Sequence, residues 1–209
     1  MKKIPIIEEK SDKLVLVGCS ILHKEVDFLI AKNNWKIDTH YLNSALHNYF
    51  NRLSNELNEA LDEEQQKGNN TVVFYGSCHP KMDSLLEDHK TCRTHGQNCV
   101  VMLLGYEYFM QELSKGAYFL LEDWALTWEP MITECFGNNV SVIREIFHSS
   151  HKYFLALRTP CTDDFTVAAE KAAAFVDLPL HWLDVDLQEL ETVMADAIQD
   201  KLGHLNNEQ

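Results

Sequence analysis

Cysteine and histidine are the side chains best suited to hold a soft metal ion or to act as nucleophiles. This chain carries six of the first and ten of the second. They recur at one kind of place. VLVGC ends in Cys19, and VVFYGSCHP sets Cys78 and His79 after four apolar or aromatic residues. Cys99 follows the short stretch TCRT, and Cys161 follows KYFLALR. His47 stands in SALHNYF, soon after the run WKIDTHYL. Thiolates together with imidazole suit zinc, copper(I) or iron, so Cys19, His47, Cys78 and Cys99 make a candidate tetrahedral set. Fewer protein ligands would leave a position open for substrate. His23, His79 and His95 are weaker candidates, as suited to capping or surface roles. No CxxC pair and no HExxH occurs. The metal reading therefore rests on where strands end and not on a local motif.

A thiol at a helix start is also a candidate nucleophile, because the backbone N–H groups there stabilise a thiolate. Cys99 after Asn98 fits that position, and Cys78 with His47 or His79 is a second arrangement. Gly76, two residues before Cys78, lets the backbone turn or a ligand approach closely. In FLLEDWALTWEP, Glu122 is a candidate acid or base and Trp124 a candidate wall for a flat cofactor. The competing reading there is a capped helix start with core tryptophans. Arg93 fits either an anion or a carboxylate. Cys92, within a strand, and Cys135, within a helix, read as small buried hydrophobes.

The elements that must position these residues alternate. KLVLVGC (13–19), WKIDTHYL (35–42), TVVFYG (71–76), AYFLLEDW (117–124), KYFLALR (152–158) and LHWLDV (180–185) read as strands. Between them, 21–34, a long helix over 44–68, 81–89, 98–105, 106–116, 126–135, 139–149, 165–177 and 187–201 read as helices. TCRT (91–94) reads as a further brief strand. This order predicts an α/β fold, a three-layer Rossmann-like sandwich around a mainly parallel central sheet. In such sheets ligands sit at the carboxyl ends of the strands, where the cysteines fall. The expected organisation is a single domain over 13–202, with an N-terminal extension (1–12) and a flexible tail (203–209).

Composition narrows the function classes. At 209 residues with 45% apolar content, the chain can bury a real core. A net charge of −14 argues against a nucleic-acid partner, which needs clustered Lys and Arg. The acid is spread over stretches such as NELNEALDEEQQ, read as solvated helix faces that favour solubility. No apolar run approaches the ~20 residues that cross a bilayer. MKKIPIIEEKSDK has no long apolar stretch behind its lysines and does not read as a secretion signal. The expected location is the cytoplasm, where cysteines remain thiols. No Walker loop or GxGxxG supports nucleotide binding.

The chain resembles a family of uncharacterised proteins, the domain of unknown function 1638. The resemblance lies in GCSILHKE with Cys19 and Glu25, in Leu46 and His47, in YGSC with Cys78, in QNCVVMLLG with Cys99, and in GAYFLLEDW ending at Trp124. These cover roughly residues 13 to 125. Where that family shows an acidic residue and a histidine before its third cysteine, this chain has Gln97 and Asn98. RTPCTDDF with Cys161 is not part of the pattern. The resemblance implies a link to corrinoid-dependent methyl transfer. No corrinoid signature of the DxHxxG kind is present, so a corrinoid would be met on a partner protein.

Together these readings predict a metal-binding protein, with zinc the expected ion, serving methyl-group metabolism as methyltransferase or accessory. One alternative is a module that holds a cofactor or a corrinoid protein without catalysis. The other is a thiol enzyme using Cys78 or Cys99. The expected partner is a small molecule or a corrinoid protein, with no nucleic acid and no membrane, and an oligomer is compatible with the sequence.

Overall fold

A computed structural model describes residues 13–207. The expected 1–12 extension and the last two residues of the expected tail lie outside that range. The strands form two parallel ladders. The first pairs β1 (Leu14–Cys19) with β2 (Ile37–Leu42) and β3 (Asn70–Phe74), in the order β2-β1-β3. The second pairs β4 (Ala117–Leu120), β5 (Tyr153–Arg158) and β6 (Leu180–Asp184), in the order β4-β5-β6. The α/β class with parallel strands is as the alternation predicts. The six strands divide between two sheets where the sequence suggested one. Part of the reason is local: Cys92–Thr94 takes the outer edge of β3, with Val73 donating to the Cys92 carbonyl and Thr94 donating to the Val73 carbonyl.

Ten helices connect the strands among the described residues: α1 (His23–Asn33), α2 (Phe50–Gln66), α3 (Met82–Asp88), α4 (Cys99–Leu104), α5 (Tyr106–Lys115), α6 (Glu122–Leu126), α7 (Trp128–Phe136), α8 (Val140–Ser150), α9 (Thr166–Val176) and α10 (Gln188–Asn207). Two boundaries differ from the sequence reading. The expected helix over 44–68 is a 3-10 turn, Ser44–Asn48, followed by α2, because Tyr49 adopts a non-helical φ of −131° and ψ of 77°. His47 therefore sits on a tight turn. The strand expected over 117–124 stops at Leu120, which puts Glu122 and Trp124 on α6.

Alternation along the strands assigns each face to a core. Leu14 and Leu16 of β1, with Val72 and Phe74 of β3, face a cluster shared with α1, α4 and α10. Leu155 and Leu157 of β5 and Phe119 of β4 enter that same cluster from the other sheet. The opposite face of β1 and β3, Val15, Val17 and Val73, packs on Leu53, Leu57 and Leu61 of α2. Phe154 and Ala156 of β5 pack outward on helices α6 to α9. One shared apolar core thus holds the two sheets together, and both faces of each are covered, as parallel sheets require.

Candidate functional site

The approach to the site is built by missing side chains. A Cβ on Gly18 would stand 2.5 Å from the Cβ of Phe74, so glycine there lets β1 lie close against β3 just before Cys19. A Cβ on Gly76 would stand 2.3 Å from the carbonyl oxygen of Gln97. The backbone of 97–98 therefore crosses directly over Gly76, fixed by the Ser77 N–H donating to that carbonyl at 2.8 Å. Next in the chain, Asn98 caps α4 by accepting from the Val101 N–H at 2.9 Å. These contacts place Cys99, the first residue of α4, beside the carboxyl ends of β1 and β3.

A cavity of about 230 Å³ results, lined by Cys19, Cys78 and Cys99. His47 and Trp124 complete its wall, and their rings stand 5.8 Å apart. Gly76 also lines it, while Ile21, Phe74 and Met102 make it largely apolar. Strand ends of the first sheet and the helix start after β4 of the second meet here. The 3-10 turn carrying His47 is tied to α6 by the Ser44 hydroxyl, which donates to Asp123.

The three thiols feel one another. Burial pushes the Cys19 thiol up to about 12, with a smaller push from Cys78 and from the Asp123 carboxylate. Burial raises Cys99 as well, and Cys19 and Cys78 raise it further. Burial also raises Cys78, with Arg93 acting weakly in the other direction. The thiolate-stabilising helix start expected at Cys99 is present, but its backbone N–H groups are outweighed by burial and by two neighbouring thiols. His47 donates from Nδ1 to the Ser44 carbonyl at 2.7 Å. Among the described residues, no group of three or more His, Cys, Asp or Glu is arranged closely enough to hold a metal ion.

Other expected residues go elsewhere. Glu122 does not line this cavity. It accepts from Lys24 at 2.7 Å and borders a neighbouring space of about 140 Å³. Cys161 follows β5 as expected, but it lies near Glu25 and Lys24 and is not among the residues that line this cavity. His79 accepts from the Lys81 N–H, His23 bonds the Ser20 carbonyl, and His95 pairs with Asp200 at the surface. Arg93 pairs with Asp83 at 2.9 Å, the carboxylate reading of that residue. Cys135 is exposed, not a buried hydrophobe, because its turn of α7 faces outward, and Cys92 is half-buried. Asn98 has the helix-start position that the sequence reading gave it before Cys99, whereas Tyr75 was not among the candidate site residues. Tyr75 stands three residues before Cys78, the signal that could have found it.

No helix among the described residues is long and apolar enough to cross a membrane. No curated protein matches the chain. Among solved structures, it is similar to the thioesterase domain of NocB, determined in covalent complex with a fluorophosphonate nocardicin G analogue. That likeness has 15% identity over 92% of this chain and 95% of that one, with a TM-score of 0.30, too low to inform fold or chemistry. The description that does fit is a family one: residues 41–194 match the model for the protein of unknown function DUF1638, and the chain belongs to that family.

Proposed function

We propose that this protein binds a soft metal ion, zinc by preference, through Cys19, Cys78, Cys99 and Nε2 of His47. The observation that carries the reading is that three thiols and one imidazole with a free nitrogen line a single cavity. Their chemistry fits such an ion. Burial, with no Lys or Arg among the lining residues to oppose it, keeps the thiols protonated. A divalent ion would take the place of those protons, and a step of χ1 redirects each sulfur. His47 already donates its second nitrogen to a carbonyl, the usual support of a ligating histidine. Held by three of these four groups, a zinc ion would keep an open position where its Lewis acidity would hold a thiol as a reactive thiolate. The chain's own residues would orient that group. The apolar wall of Ile21, Phe74 and Met102 excludes water, and Trp124 covers His47.

A role in methyl-group metabolism, as methyltransferase or accessory, and contact with a corrinoid on a partner protein extend this reading. They are supported by the family resemblance and by the suitability of a metal-held thiolate for attack on a methyl donor. The thiol-enzyme alternative is less well supported, because the environments of Cys78 and Cys99 both favour the unreactive protonated form.

The test is metal content by mass spectrometry on untagged protein purified without oxygen, beside Cys78→Ser. About one metal per chain, lost in the variant, is the expected result. No metal in either protein overturns the reading.

A further inference from the structure

We infer that the thiol cavity takes a small neutral organic ligand whose acceptor oxygen is bound by the Tyr75 hydroxyl and the Trp124 indole N–H. The inference rests on the proposed function for the identity of the site, and it adds the class of molecule the site receives. Buried polar atoms in folded proteins almost always have a hydrogen-bond partner. Among the described residues, Tyr75 Oη and Trp124 Nε1 are buried without one, and both residues line this cavity. Two such atoms bordering one cavity are the mark of a binding site more than of loose packing.

The chemistry of the pair is one-sided. An indole N–H can only donate. Tyr75 is 3% exposed, and its phenolic hydroxyl carries a proton at neutral pH that it can donate. The ligand must therefore bring an acceptor. Its charge is limited by the rest of the wall, which has no Lys, Arg, Asp or Glu. A carboxylate would enter without a countercharge from Lys or Arg, and an ammonium would bring only donors to a pair that itself donates. The body of the ligand would lie against Ile21, Phe74 and Met102 and is therefore apolar. At about 230 Å³ the cavity is smaller than the usual space for drug-sized ligands, which sets the size of the molecule.

The full chain, with indole nitrogens labelled, is titrated with N-methylacetamide as a neutral acceptor and with propionate and propylammonium as charged controls. Each titration is followed by nuclear magnetic resonance, in metal-free and zinc-loaded protein. The resonance missing from Trp124→Phe identifies the Trp124 N–H. The expected result is a saturable shift of that resonance with N-methylacetamide, weakened at least tenfold in Tyr75→Phe and absent with propylammonium. No saturable shift in either form of the protein overturns the inference. So does equal affinity in Tyr75→Phe, or tighter binding of either charged control. Should Tyr75→Phe fail to fold, the methyl group of Met102 reports the same titration in Trp124→Phe, where a tenfold loss is again expected. Saturable binding by protein that retains no zinc would leave this inference standing and remove the metal reading alone.

Discussion

Nδ1 of His47 lies 2.7 Å from the carbonyl oxygen of Ser44, and this contact decides which ring nitrogen is left for chemistry. A carbonyl can only accept, so Nδ1 carries the proton and neutral His47 keeps a bare lone pair on Nε2. His79 is the reverse case. Its Nδ1 accepts from the Lys81 N–H, so its proton is on Nε2 and its lone pair is spent on the backbone. Both histidines stand near cysteines, but only His47 has a ligand-ready nitrogen on the wall of the cavity. His47→Ala is expected to lower zinc affinity at least tenfold, read by competition with a chelating dye, while the circular dichroism spectrum stays as in the parent. His79→Ala is expected to leave zinc affinity within about twofold.

Burial ranks the cysteines by reactivity. Cys135 is exposed, whereas Cys19, Cys78 and Cys99 are raised by burial. The attacking species is the thiolate, so raised thiols label slowly at neutral pH. In metal-free protein, iodoacetamide is expected to modify Cys135 first, and mass spectrometry of peptides should find Cys19 and Cys99 last. The rate at Cys19 should rise about tenfold per pH unit above neutrality and level only near its own ionisation at about 12. Fast labelling of Cys78 or Cys99 at pH 7 would instead restore the thiol-enzyme reading.

The same shift has a consequence for stability. A thiol raised in the folded state keeps its proton while the unfolded chain has already lost it. Its stabilising contribution is complete below the ordinary thiol range and declines as pH rises toward 12. The decline is about 1.4 kcal/mol per pH unit for each such thiol. Thermal melts from pH 8 to pH 11 should show a falling midpoint, and Cys19→Ala should flatten the fall. A parent and a variant with parallel profiles would show that Cys19 does not titrate as its burial implies.

Much of this was legible in the residues. The short apolar runs gave β1, β3 and β5, and the cysteines after β1 and β3 marked the carboxyl edge where the cavity lies. Cys19, His47, Cys78, Cys99, Gly76 and Trp124 were all named from sequence, and all line one space. Glu122 and Cys161 looked equivalent by position along the chain. They went elsewhere because the second sheet presents its own strand ends beside Lys24 and Glu25. Division into two sheets was not legible, since alternation fixes which elements are strands and not which strands pair. Nor was the break at Tyr49, where tertiary packing overrides a sequence with continuous helical periodicity.

Gly76 is where the backbone, not a side chain, controls the site. Any Cβ there would meet the Gln97 carbonyl at 2.3 Å, and backbone does not give way as a flexible side chain would. Gly76→Ala is expected to push the 97–98 segment outward, lose the Ser77 to Gln97 hydrogen bond and displace Cys99. The expected cost is about 2–4 kcal/mol in urea unfolding, together with loss of stoichiometric metal. Unchanged stability would mean that the crossing of the two segments is looser than this geometry.

The two sheets are also joined through polar groups. Glu25 of α1 is 4% exposed, and it accepts from the Thr159 hydroxyl, beyond β5, at 2.6 Å. That threonine oxygen in turn accepts from the Cys161 N–H at 3.1 Å. Thr159→Val keeps the volume but removes both contacts and leaves a buried carboxylate without its donor. The expected loss is about 1–3 kcal/mol. Glu25→Gln retains an acceptor oxygen for the same hydroxyl and should lose less. Lys24 provides the contrast. It pairs with Glu122 and Asp163 at 2.7 Å each, but the Asp163 carboxylate is largely in solvent. Lys24→Ala should cost no more than about 1 kcal/mol, less so in high salt. If urea unfolding ranked Lys24→Ala above Thr159→Val, the surface ion pairs and not the buried hydrogen bond would be the tie between the two sheets.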